Sequence, residues 1–204
     1  MDTTTEETYR GYRINTGENN DLPCNTKTLD QYLDRQEYME KNHSRTRIVR
    51  LDIRSPSESA IPLRKQMSRI LESTRRKLES KNKSKNQVDM HYVWTAEKRK
   101  AEGNEHVHLA ILANGNTIKN GYGIFKALEE VVKRQIPGAS EGHVEFCKSN
   151  GKKGILLDRN DPHVADRRND ATFAASYLAK VSSKERKDKG ARFSSASRLP
   201  SDWR

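Results

Sequence analysis

His106 and His108 flank a single valine in "NEHVHLAILANG" (residues 104–115), an otherwise apolar run closed by Asn114-Gly115. In an extended chain residues i and i+2 point to the same face. Two neutral imidazoles held so close can share one divalent ion. Glu97 ends the preceding run, "VDMHYVWTAE" (88–97), and "KRKAEGN" turns the chain toward His106. In a hairpin the end of one strand faces the start of the next, which would bring the carboxylate beside both imidazoles. Two histidines and a carboxylate with open positions suit Mg²⁺ or Mn²⁺ when phosphate oxygens complete the shell, and also accept Zn²⁺ or Ni²⁺. The plain alternative is a histidine pair capping a polar edge and an exposed turn carboxylate beside Lys98, Arg99 and Lys100.

A second group lies in "ASYLAK", where Tyr177 and Lys180 are three apart and share a face of a helix. A phenol is a poor nucleophile at its ordinary pKa of about 10, and a neighbouring ammonium stabilises the phenolate. Facing a metal-bound phosphodiester, such a phenol could attack phosphorus in line. Taken alone, the pair reads better as a core tyrosine beside a solvated lysine.

The elements that must hold these residues follow from periodicity. Helices are expected from Thr28, with Thr28 as N-cap, over 61–82, over "GYGIFKALEEVVKRQIPG" and over "DATFAASYLAKVSSK". Strands are expected over "RIVRLDIRS", 88–97 and 105–113, with two short ones at "GHVEFCK" and "KGILLD". Helices interspersed with hairpins predict an α+β fold, an antiparallel sheet covered by helices. Residues 1–26 lack periodicity and read as a flexible N-terminal arm, 27–183 as the domain, and 184–204 as an irregular basic tail. His43, His91, His143 and His163 show no partners in the pattern and read as structural.

The 204 residues carry a net charge of +11 and are only 32% apolar. That excess favours a polyanionic partner. No apolar run is long enough to span a bilayer, the N-terminus is not a secretory signal, and the two cysteines are far apart. A reduced, cytoplasmic protein is expected.

In this order "HVHLAIL", an acid one hairpin turn upstream and a downstream "YLAK" resemble the three-part signature of HUH endonucleases, the nickases that start rolling-circle replication. The wider run "RIVRLDIRS … YVWTAEK … HVHLAILANG … ASYLAKVSSK … RFSSASR", over residues 28–198, is similar to inovirus-type replication initiators of filamentous phages, satellites and prophages. The resemblance implies a five-stranded RRM-like sheet in a single domain. It implies His106, His108 and Glu97 as ligands of Mg²⁺ or Mn²⁺, Tyr177 as the nucleophile that joins the 5′-phosphate, and Lys180 as its charge-stabilising neighbour. Single-stranded origin DNA is the implied substrate, with Arg64, Arg69, Lys184, Arg192 and Arg198 on its phosphates and a host helicase and polymerase as partners. Phe173 and Val181 stand four residues from Tyr177, where a second tyrosine would be. One phenol then needs a second protomer, hence a dimer, or water to finish a round. The rival readings are a relaxase or single-strand transposase on the same chassis, a non-catalytic DNA-binding regulator, and an RNA-binding module. The last lacks the aromatic-rich RNP1 pattern.

Overall fold

Short ladders open the chain: β1 (Thr3–Thr4), β2 (Thr8–Tyr9), β3 (Tyr12–Arg13) and β4 (Cys24–Asn25), with β1 paired to β4 and β2 to β3. The computed structural model describes residues 2–57, 59–83, 86–98, 105–149, 151–181 and 193–204. The segment read as an arm is packed. Ile14 and Cys24 are buried against Leu29 and Ala179, and Arg10 pairs with Asp34 at 2.9 Å and Glu37 at 2.7 Å. Its apolar residues have no period because they fill gaps between other elements, a pattern that periodicity does not detect.

Helix α1 (Thr26–Asn42) starts three residues earlier than a cap at Thr28 would allow, because the Asn25 side chain caps it by accepting from Thr28 N at 2.9 Å. Strand β5 (Arg45–Arg54) leads into α2 (Leu63–Lys81), and β6 (Met90–Lys98) and β7 (Glu105–Asn114) form the expected hairpin. Helix α3 (Gly121–Gln135) is capped by Asn120, whose side chain accepts from Gly123 N at 3.0 Å. A Cβ at Gly121 would stand 2.6 Å from Val49 Cγ1 and 2.8 Å from Phe146 Cζ, so only glycine lets this helix approach the sheet. Four short strands follow: β8 (Val144–Phe146), β9 (Lys148–Ser149), β10 (Lys152–Lys153) and β11 (Ile155–Asp158). Helix α4 (Val164–Ser176), a 3₁₀ turn at Tyr177–Ala179 and β12 (Ser194–Ala196) complete the fold.

The main sheet is antiparallel and runs β11-β5-β7-β6-β12, with β8 also on β5. Among the described residues it has six strands rather than five. The added strand is β12, inside the tail read as irregular, where three residues of no apolar pattern pair with Val93–Thr95. Alternation sends Val49, Leu51, Ile53, Val107, Leu109 and Ile111 to one core with α2 and α3. Ile48, Ala110, Leu112 and Val93 go to a second core with α1 and α4. Both faces are covered, and the histidines lie on the α1/α4 face where that cover ends.

Candidate metal centre and tyrosine

Three neighbouring strands deliver the cluster. His106 and His108 share one face of β7, with ring centroids 4.3 Å apart. Glu97 on β6 stands directly opposite His106, and Asp52 on β5 stands directly opposite His108. Asp52 Oδ1 meets His108 Nδ1 at 2.9 Å and its Oδ2 lies 3.4 Å from His106 Nε2. Glu97 Oε1 lies 3.3 Å from His106 Nδ1 and 3.2 Å from His108 Nε2. All four residues are buried.

Asp52, His106 and His108 offer ligand atoms within 4.8 Å of one another, the geometry of a site that could hold a metal ion. The Nε2 atoms of His106 and His108 are buried, and although each faces a carboxylate oxygen, at 3.4 and 3.2 Å, neither makes a well-directed hydrogen bond among the described residues. A cation between these nitrogens and the carboxylates would accept the imidazole lone pairs and satisfy both. Oxygen and imidazole donors fit a divalent ion.

Asp52 escaped the sequence reading. Its signal was present: in "RLDIR" an acid between two core residues shares parity with Arg50 and Arg54, so the strand has a charged face as well as an apolar one. What the sequence lacked was the pairing of β5 with β7, more than fifty residues away. Burial pushes the Asp52 carboxyl up, but hydrogen bonds from both histidines and the charges of His108 and Arg50 outweigh it and hold it well below the usual range. Burial pulls His106 down, and its bonds to Asp52 and Glu97 more than reverse this, leaving it raised. The neighbouring Cys147 thiol, buried near the Asp52 charge, is pushed up to about 11 and is inert as a thiolate.

Tyr177 closes the site from the other side. Its ring stands 5.0 Å from the His108 ring at 81°. The guanidinium of Arg50 lies 4.6 Å from the phenol ring centroid and the ammonium of Lys180 lies 5.0 Å from it. The helix expected over "DATFAASYLAKVSSK" ends at Ser176 and begins earlier, at Val164. Tyr177 opens a 3₁₀ turn instead, and because i and i+3 eclipse there, Lys180 keeps to its side. Burial, with Arg50 beside it, lowers the Lys180 pKa.

The cations assigned to DNA fare differently. Arg64 is buried in an ion pair with Glu105, which also accepts from Arg64 N at 2.8 Å and so caps the start of α2. That pairing removes Arg64 from any phosphate surface. Arg69 reaches Gln135 on α3 at 3.3 Å, while Arg75 and Arg76 bind Glu72 at 2.7 and 2.8 Å. Carboxylates of the protein thus pair three of the four arginines on α2, while Arg69 meets the neutral Gln135 and stays exposed. Arg198 is exposed, and Lys184 and Arg192 lie outside the described residues.

His43 and His91, read as partnerless, bracket Asp89 at 2.6 and 3.2 Å, and His91 also meets Ser197 Oγ at 2.9 Å. Asp89 holds a left-handed backbone, φ 38°, which aims its carboxylate between them.

Residues 4–196 match the family model of the YagK/YfjJ C-terminal domain. The chain belongs to this family. No curated protein and no solved structure matches it. The YagK/YfjJ match begins within the N-terminal ladders and ends at the last residue of β12, so it takes in most of both segments that the sequence pattern set outside the domain. Among the described residues, no helix of this YagK/YfjJ domain is long and apolar enough to cross a membrane.

Proposed function

We propose that this protein is a metal-dependent, HUH-type nickase and strand transferase acting on single-stranded DNA at a replication origin, with Tyr177 as nucleophile. The observation that carries the reading is the 5.0 Å contact between the Tyr177 and His108 rings, which puts one phenol against the only buried Asp-His-His cluster found among the described residues. Asp52, His106 and His108, with Glu97 beside them, would hold a divalent ion such as Mg²⁺ or Mn²⁺. When bound, that ion supplies Lewis acidity to a phosphate oxygen.

The chain's own residues do the rest. Arg50 and Lys180 place two positive charges against the phenol ring, which favours the phenolate and discourages a protonated neighbour. The Tyr177 oxygen attacks phosphorus, a tyrosyl O–P bond forms, and the bond to the 3′-oxygen breaks. The phenol proton is lost to solvent and the departing 3′-oxygen takes one up. The 5′-phosphate stays on Tyr177, and a free 3′-hydroxyl remains to prime synthesis. Reversal by another 3′-hydroxyl reseals DNA without ATP, because the phosphodiester energy is kept in the tyrosyl bond. A host polymerase and helicase would extend and unwind the strand, and a second protomer would supply the second phenol.

The test is incubation with single-stranded origin DNA and Mn²⁺, followed by a denaturing gel for covalent protein–DNA adduct. Adduct in the wild type and none in Tyr177→Phe is the expected result. Adduct that survives in Tyr177→Phe moves the nucleophile elsewhere. DNA binding without adduct in the wild type, across candidate origins, favours a non-catalytic regulator.

A further inference from the structure

Three of the four arginines on α2 are paired with carboxylates, so much of the net charge of +11 is presented elsewhere. A groove of about 510 Å³ between the end of α2, the 116–120 loop and the start of α3 is where exposed lysines collect. Lys81, Lys83, Lys119 and Lys126 line it, and no acid is among its described lining residues. Acids do stand at its margin: Glu129 meets Lys126 at 2.7 Å, and Glu130 lies 3.8 Å from Lys81. Lys83 and Lys119 are exposed, with no carboxylate within ion-pair reach among the described residues.

Lys126 links the groove to a row of aromatic rings. Its ammonium lies 5.7 Å from the Tyr122 ring and 5.3 Å from Phe125. Phe125 stacks in turn on Phe146, which Lys153 covers at 5.6 Å. Tyr122 is 56% exposed, one of two large apolar side chains left so open among the described residues. An exposed ring beside Lys126, on a cationic groove whose described lining holds no acid, matches what unpaired bases and a phosphate backbone require together.

We infer that this groove and the Tyr122 face form a second binding site for single-stranded DNA, remote from the metal centre, with Lys83 and Lys119 on phosphates and Tyr122 stacking a base. The site lies past Asn114, at the opposite end of β7 from His106. Eight residues of strand put it about 26 Å along the sheet. A strand held at both places must therefore be long, and the groove grips DNA flanking the scissile segment. The inference rests on the DNA-binding part of the proposed function and on none of its chemistry.

Binding is read on the full chain with metal chelated, using a fluorescein-labelled mixed-sequence 20-nucleotide single strand from 50 to 200 mM salt. Lys83→Glu with Lys119→Glu should weaken binding at least tenfold and flatten the slope of log affinity against log salt by about 1.4, two contacts at about 0.7 each. The matching Lys83→Arg, Lys119→Arg protein should bind like wild type, which separates charge from folding. Tyr122→Ala should cost about tenfold on the single strand and nothing on a duplex of the same length. A wild-type salt slope in the charge-reversed protein overturns the site, and an equal Tyr122→Ala loss on duplex overturns its assignment to unpaired DNA. Because no cleavage is measured, failure of the nickase reading appears separately, as absent adduct with this binding intact.

Discussion

The rings of Tyr177 and His108 stand nearly perpendicular, 81° apart, with centroids 5.0 Å from each other. Tyr177 opens the 3₁₀ turn that follows α4, and His108 lies in the central strand of the sheet. Their contact makes the phenol part of the histidine cluster's wall, and Arg50 covers the phenol from a third element at 4.6 Å. Tyr177→Phe keeps this packing. It should abolish adduct while leaving Mn²⁺ affinity within twofold, as checked by gel and by titration calorimetry. Arg50→Met should slow adduct formation by about 10²-fold, the scale of removing one preorganised charge partner, with metal affinity little changed.

Asp52 and Glu97 each reach both imidazoles. Asp52→Asn should weaken Mn²⁺ binding by about 10–100-fold, as loss of a ligand or of the group orienting the ligands does. Glu97→Gln tests the carboxylate opposite His106 in the same way. Calorimetry of the two variants ranks the acids, and unchanged affinity in Asp52→Asn would remove it from the centre.

The Asp89 carboxyl is pushed up by burial but drawn down further by hydrogen bonds from His43 and His91, so its folded pKa lies below the ordinary 3.8. A depressed carboxyl contributes stability that is fully present above its unfolded value and is lost as pH falls through the folded one. Asp89→Asn keeps a residue tolerant of φ 38° and removes the charge. Its Tm should fall below wild type at pH 6, and the gap should close on acidification below about pH 3.8. A gap constant down to pH 2 would refute the linkage.

Glu105 joins the start of β7 to the start of α2 through the buried Arg64. Removing one partner leaves the other charge buried, so Arg64→Ala should cost about 3–5 kcal/mol in chemical denaturation. The salt slope of DNA binding should stay at the wild-type value, since Arg64 touches no phosphate.

The antiparallel layer fold and half of the centre were legible in the residues themselves. Two-residue alternation is a local property, so it placed His106 beside His108, and a short turn placed Glu97 opposite them. Capping was legible only to within three residues: Asn25, not Thr28, caps α1, since both are good caps and packing chooses between them.

What the amino-acid order determined by itself was therefore everything within reach of one strand, one turn or one hairpin: which residues share a face, where elements break, and the basic excess. Tertiary structure alone decided which distant elements meet. It brought Asp52 to His108 across β5 and β7, seated Tyr177 on that pair, recruited residues 194–196 as a sixth strand and tied down the N-terminal segment. It also chose which arginines are spent on carboxylates and which lysines stay open. The reason is range: side-chain direction follows from the backbone period, whereas strand neighbours and charge partners are settled by burying the whole chain at once.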